Sequence, residues 1–341
     1  MKKLKSFVLI AVAVLLIAFT GCSRNAEPEV NQPEDKTPEA GNTGENENYG
    51  VIINEENVVF IDSQGKETTI KKNPQRVVVL QNSILEIWDQ AGGKVVGRVE
   101  ESSDKIVENA MSAEVVGTVG TPSLEKILSL QPDLVILSGG YTAHREMIPS
   151  LQQNNIQVIS LEIDFLEDYY RTVRLFTAIT GREDLYESHI NDIQKKVDEL
   201  IEKAPSDRGY KVVIIFATAK GITVRDSNTM VGEMLKDLNT VNISDSEDST
   251  VDTKIFSMEK IIQEDPDFIF VQTMGSDLEK VTERLKSDVL DNPAWASLTA
   301  VKEDRYIVLP KDLYLYKPND KYPEAYEGLA KILYPDVYEN K

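Results

Sequence analysis

Cysteine occurs once in the 341 residues, histidine twice and tryptophan twice. A lone cysteine closes no intramolecular disulfide and builds no Cys-rich zinc site. Two histidines, His144 and His189, are too few for a multi-histidine centre, so no resident metal or cofactor is expected. Bases are also short, with 37 Lys and Arg against 57 Asp and Glu for a net charge of −20. That balance argues against a surface that holds nucleic acid through its overall field. The strings G-x-x-x-x-G-K-[ST], G-x-S-x-G, H-E-x-x-H and C-x-x-C do not occur, so no catalytic residue is assigned and no enzyme is expected. What is present is apolar material, at 41%. It excludes wholesale disorder, and the length accommodates two ordinary domains.

The chain opens with Lys2, Lys3 and Lys5, then an unbroken apolar run from Phe7 to Phe19, then Thr20-Gly21-Cys22. A basic start, a short apolar core and small residues at the cut describe an export signal. The run is too short for a bilayer span, which needs about 20 residues. The segment resembles a bacterial lipoprotein signal, although Phe19 stands where Leu is usual. The resemblance implies cleavage before Cys22 and acylation (palmitate or a similar chain) of that residue. The acyl chains would hold the protein on the outer face of the cytoplasmic membrane by burial of their CH2 groups. Residues 23–50 carry seven acids and two bases among Pro, Gly, Asn and Thr. With almost nothing apolar to bury, they are expected to form a disordered acidic tether. The signal contributes +3 and the tether −5, which leaves −18 on residues 51–341.

From there, short β-branched runs alternate with helical patterns. A hairpin is expected at Val58–Asp62 and Glu67–Ile70 around Gly65. Strands are expected at Val77–Leu80, Lys94–Val99, Val115–Val116, Leu134–Leu137 and Gln157–Leu161, with helices at Ser83–Ala91, Leu124–Leu130 and Thr142–Asn154. This is the signature of parallel sheets with helical crossovers. Leu166–Thr180 reads as a helix stopped by Gly181. Glu183–Lys203 has helical apolar spacing over some 30 Å. Strands resume at Lys211–Phe216, Phe268–Val271 and Tyr306–Leu309, and a helix is expected at Pro323–Leu333. The expected fold class is α/β, with two doubly wound lobes at 51–181 and 205–341 bridged by one long helix at 182–204.

An internal repeat supports two related lobes. Ser123–Leu137 reads SLEKILSLQPDLVIL and Ser257–Val271 reads SMEKIIQEDPDFIFV, with six of 15 positions identical at an offset of 134. Each copy reads as a helix, a Pro-Asp stop and a buried strand.

DSQGKETTIKKNPQRVVVL (Asp62–Leu80), the two Glu-Lys-Ile…Pro-Asp segments, the Gly117–Gly120 loop, Asn292-Pro293-Ala294-Trp295 and LAKILYPDVY (Leu329–Tyr338) together resemble solute receptors of iron-complex and cobalamin importers. The resemblance covers nearly all of residues 55–338, in order. It implies the class III, helix-hinged substrate-binding protein of ABC importers, with a ligand held between the lobes. The implied ligand is an iron complex (ferric siderophore or haem) or a corrinoid, and the implied partners are an ABC permease with its ATPase. A monomer is expected. The different-class alternative is a surface enzyme on a similar two-lobed scaffold. Glu125 and Glu259, at matching positions of the repeat, are implied to dock on permease arginines; their plainer use is to complement the helix dipole.

Ligands of open α/β sheets sit beyond the carboxyl ends of the strands. The segments leaving those ends put forward Gln81, Asn82, Ser83, Tyr141, His144, Arg145, Arg225, Thr273, Tyr314 and Tyr316 as ligand-binding candidates. Arg145 and Arg225 suit carboxylates, and the tyrosines suit a flat or catecholate ligand. Ordinary loop or packing roles are the alternative for each. Trp88, Trp295 and His189 are expected to be structural.

Overall fold

The computed structural model describes residues 48–101, 106–245, 256–275 and 277–339. Cys22, the signal and nearly all of the tether lie outside the described residues.

The fold starts with an antiparallel meander, β1 (Ile52–Ile53), β2 (Asn57–Ile61) and β3 (Glu67–Lys71). The first five-stranded sheet follows, built from β4 (Val77–Val79), β5 (Gly97–Arg98), β6 (Glu114–Val115), β9 (Leu134–Ser138) and β10 (Gln157–Leu161). Between β6 and β9 lies a two-stranded hairpin, β7 (Gly117–Thr118) and β8 (Thr121–Pro122). Helices α1 (Asn82–Gln90), α2 (Leu124–Ser129) and α3 (Thr142–Gln153) make the crossovers. The sheet order is β10-β9-β4-β5-β6, all parallel, so the order reverses between β4 and β9. The expected strand over Lys94–Val99 shrinks to two residues. Gly97 allows this close approach, since a Cβ there would meet the Leu130 side chain at 2.6 Å.

Helices α4 (Leu166–Thr180) and α5 (Glu183–Lys203) lead to the second half. There β11 (Lys211–Thr218), β12 (Gly221–Arg225), β13 (Val241–Asn242), β14 (Phe268–Met274) and β15 (Tyr306–Val308) form a sheet in which only β12 runs antiparallel to its neighbour. Its helices are α6 (Met230–Asp237), α7 (Met258–Glu264), α8 (Leu278–Leu285), α9 (Thr299–Lys302), α10 (Lys311–Tyr314) and α11 (Tyr322–Leu333). Helices α6 and α8 are not among the elements expected from sequence: each is only eight residues long, and neither lies in the repeat that marks the still shorter α2 and α7.

Strand alternation distributes the core. Val77, Val79, Leu134 and Ile136 join Val212, Ile214, Phe268 and Phe270 in one continuous cluster with residues of α4, α5, α6 and α11. The alternate residues Val78, Leu80, Val135 and Leu137 meet Ile127 and Leu151 in a separate layer. Val213, Ile215, Ile269 and Val271 meet Ile261, Val281 and Trp295 in a third. Both faces of the central strands are therefore covered, which is why these strands read as unbroken apolar runs. No described helix is long and apolar enough to cross a membrane.

The repeat has a structural counterpart. Ser123 caps α2 by accepting from the Lys126 amide, and Ser257 caps α7 by accepting from the Lys260 amide. Ile127 and Ile261 are both buried. The Asp133 carboxylate accepts from the Gln75 and Arg76 amides at 2.7 and 2.9 Å, and the Asp267 carboxylate accepts from the Lys211 amide at 2.8 Å. In each copy the Pro-Asp aspartate thus ties the start of one parallel strand to the start of its neighbour. Gln131 and Asp265, also equivalent, both take positive φ where the helix ends.

Candidate functional site

The strand-order reversal leaves a gap at the carboxyl ends of β4 and β9. A cavity of about 210 Å3 opens there, lined by Gln81 and Ser83 after β4, Ser138 at the end of β9 and Tyr141 beyond it, and Glu162 and Asp164 after β10. Tyr141 is 37% exposed and stands at the rim. Its ring lies 5.0 Å from that of His144.

His144 is fully buried and does not reach the cavity. The Ser138 amide donates to Nδ1 at 3.2 Å, so the proton sits on Nε2, which donates to the Val119 carbonyl at 2.8 Å. Burial pulls its pKa below the ordinary value. The imidazole is a neutral brace between the end of β9 and the β7–β8 hairpin. Arg145 is also turned to local use, donating to the Gly139 carbonyl and, at 3.0 Å, to the Thr142 hydroxyl. Gly139 lets the Ser63 side chain pack closely, because a Cβ there would meet Ser63 Oγ at 2.1 Å.

A second cavity, of about 460 Å3, lies in the other half. Phe216 of β11 and Gln272 of β14, which are register partners, line it together with Arg225 at the end of β12. The Arg225 guanidinium carbon sits 4.1 Å from the Phe216 ring centroid. Its pKa is lowered by burial, against an opposing pull from Asp226. A partly desolvated guanidinium held over an aromatic face is a strong partner for a carboxylate or a similar planar anion.

Tyr314 lines this cavity too, but its hydroxyl is engaged inside the protein, donating to the Ala325 carbonyl at 2.9 Å. Gly328 makes room for it, since a Cβ would meet the phenol oxygen at 2.4 Å. The Gln272 amide donates to the Tyr314 carbonyl. Tyr314 therefore offers no free phenol to a bound molecule.

Asp164 and Lys317 line both cavities and form an ion pair at 3.0 Å. Around them the halves meet. The Glu233 carboxylate of α6 accepts from the Leu166 amide at the start of α4, at 3.1 Å. Burial pushes the Glu233 pKa up to about 7.

Of the sequence candidates, Gln81, Ser83, Tyr141, Arg225 and Tyr314 line the cavities. Asn82, His144, Arg145, Thr273 and Tyr316 do not. Asn82 instead donates to the Glu100 carbonyl at 2.9 Å, and Thr273 alternates away from the wall that Gln272 lines. Glu162, Asp164 and Phe216 were not put forward. The first two directly follow β10, so the strand-end rule reaches them; Phe216 lies within a strand and carries no such signal. Glu125 and Glu259 are exposed at the first turns of α2 and α7. Trp88 and Trp295 are buried, each edge-on to an aromatic ring. Among the described residues no group of three or more His, Cys, Asp or Glu is placed to hold a metal ion.

The profile of the periplasmic binding protein family matches residues 77–313. An Fe(3+)-citrate-binding protein of Bacillus subtilis is 26% identical over 278 residues, covering 79% of this chain and 83% of its own. A ferric-anguibactin-binding protein of Vibrio anguillarum is 23% identical over 323 residues, covering 91% and 92%. Among solved structures, Staphylococcus aureus SirA complexed with staphyloferrin B aligns with TM-score 0.63 at 22% identity over 82% of this chain and 98% of that one. S. aureus IsdE complexed with heme aligns with TM-score 0.65 at 18% identity over 76% and 98%. These relatives are named for binding, not for catalysis.

Proposed function

The chain belongs to the periplasmic binding protein family, and from that premise we propose that it is a lipid-anchored, extracytoplasmic receptor that captures a ferric complex for an ABC importer. The observation that carries this reading is the pair of cavities joined at Asp164 and Lys317, with Arg225 stacked on Phe216 at one end. In this reading they form one cleft between lobes 51–181 and 205–341, with 182–204 as the bridging helix. Its lining is mostly polar and charged, which suits a hydrophilic ligand held by hydrogen bonds and charge more than an apolar one.

The net charge of −20 disfavours approach of an anionic complex. The cleft lining is not positive on balance, since Glu162, Asp164 and Asp226 stand against Arg225 and Lys317. The partly desolvated Arg225 over Phe216 is the group that favours a carboxylate-bearing ferric complex over a neutral corrinoid. The names of the iron-citrate and siderophore relatives support the same direction. With the His144 ring braced and the Tyr314 hydroxyl engaged, Tyr141 and Met230 are what the cavity linings offer as haem ligands, with no histidine beside them, and haem ranks below a ferric siderophore or ferric citrate. Cys22 carries the acyl anchor in this reading, and Glu125 and Glu259 meet the permease, whose ATPase drives release.

Native mass spectrometry of the protein incubated with ferric citrate, ferric catecholate and hydroxamate complexes, haem and cobalamin tests the assignment. A one-to-one adduct with a ferric carboxylate or siderophore complex is expected. Retention of cobalamin alone would replace iron by a corrinoid. Turnover of a small substrate with no adduct from any of these would support a surface enzyme.

A further inference from the structure

Between α10 and α11 the chain leaves the Tyr314 wall of the second cavity and crosses to the first. Five residues after Tyr314, Asn319 is fully buried with φ +56, in the left-handed region that asparagine tolerates better than most residues. Its side-chain amide donates to the Ser83 carbonyl at 3.0 Å and to the Glu86 carboxylate. Ser83 lines the first cavity, and Ser83 and Glu86 lie in the first half of α1. Flanking contacts run the same way. Lys317 pairs with Asp164 at 3.0 Å, and the Tyr322 ring lies 5.5 Å from that of Tyr169 on α4.

We infer that residues 315–322 are a second tie between the halves, beside α5, and that Asn319 is its positioning residue. Asn319 fixes the start of α1, one wall of the cleft, to the segment that carries the opposite wall. The spacing of the two walls is then set before any ligand arrives. This rests on reading the cleft as the ligand site only for its effect on affinity; the tie itself is a property of the ligand-free protein. A buried amide that donates twice, once to a carboxylate, holds its two partners with a defined geometry that an apolar contact lacks.

Asn319→Asp keeps shape and backbone preference but turns the donor into an acceptor beside Glu86. Asn319→Gly keeps the positive φ and deletes the amide. In the ligand-free full chain, hydrogen exchange at the Leu85–Trp88 amides should quicken about tenfold in both variants, with β9 unchanged. Adding Glu86→Gln to Asn319→Asp supplies a donor from the other side and should restore slow exchange. With ferric citrate as the probe, affinity should fall about tenfold in Asn319→Asp and recover in the double variant. Unchanged exchange in α1, or quickening spread evenly over β9 and β11, would overturn the inference. If Asn319→Asp does not fold, Asn319→Gly gives the same comparison. If α1 loosens as expected while the unmodified protein binds no ferric complex, the tie stands and the receptor reading falls.

Discussion

The Lys317 ammonium lies 3.0 Å from the Asp164 carboxylate, and these two residues, 153 positions apart, are the ones shared by both cavities. The pair is partly solvated, so it contributes little stability, roughly 0–1 kcal/mol. Its larger effect is on charge: Asp164 offsets the cation that an anionic ligand would seek. Asp164→Asn should tighten binding of a carboxylate-bearing ferric complex several-fold, and Lys317→Met should weaken it. Titrations at low and high salt check this, with the differences shrinking as salt screens them.

Glu233 makes stability depend on pH in a defined direction. Its folded pKa is raised from 4.5 to about 7, by burial first and by Asp237, Asp168 and Glu167 besides, against the pull of the Leu166 amide. Between those values the folded protein holds a proton that the unfolded chain has released. Stability from this group is therefore present below about pH 4.5 and is lost as pH rises through about 7. Glu233→Gln keeps an acceptor for Leu166 and removes the titration. Its Tm should match the unmodified protein near pH 4.5 and exceed it at pH 7.5. His144, whose lowered pKa gives the opposite slope, cancels in the difference.

The equivalent aspartates of the repeat should both stabilise the fold, Asp133 the more. Asp133→Ala strips the acceptor from two strand-start amides and Asp267→Ala from one, each amide costing about 1–3 kcal/mol. Urea unfolding should show a loss in both variants, larger for Asp133→Ala. A full effect at one site and none at the other would mean that the staple matters in only one half.

Permease contact should separate from ligand capture. Glu125→Ala with Glu259→Ala should reduce iron uptake by cells while leaving the affinity of the purified protein unchanged. Lost affinity would remove both residues from the docking role.

The central strands and the two long helices could be read closely from sequence because their patterns are long and covered on both faces. Glu183–Lys203, for example, has the bounds its apolar spacing predicts. The Pro-Asp repeat is visible as letters, but its purpose, tying Asp133 to Gln75 and Arg76, lies 58 and 57 residues away. The site was less legible. The strand-end rule reached Gln81, Ser83 and Tyr141, but it also drew in His144, whose two ring nitrogens are spent on Ser138 and Val119. A sequence does not show where a ring nitrogen points. The Asn319 crossing left no signal, since its partners Ser83 and Glu86 are over 230 residues distant.

The most direct test is an equilibrium titration of the purified protein with ferric citrate, followed by intrinsic fluorescence, beside Arg225→Ala. Saturable one-to-one quenching of the unmodified protein is expected. The variant should bind about 10- to 100-fold more weakly, the loss of a charge-assisted contact worth some 1.5–3 kcal/mol. Equal binding by both proteins would remove Arg225 from the site. Absence of binding to ferric citrate and to every ferric siderophore tried would contradict the iron-complex receptor itself.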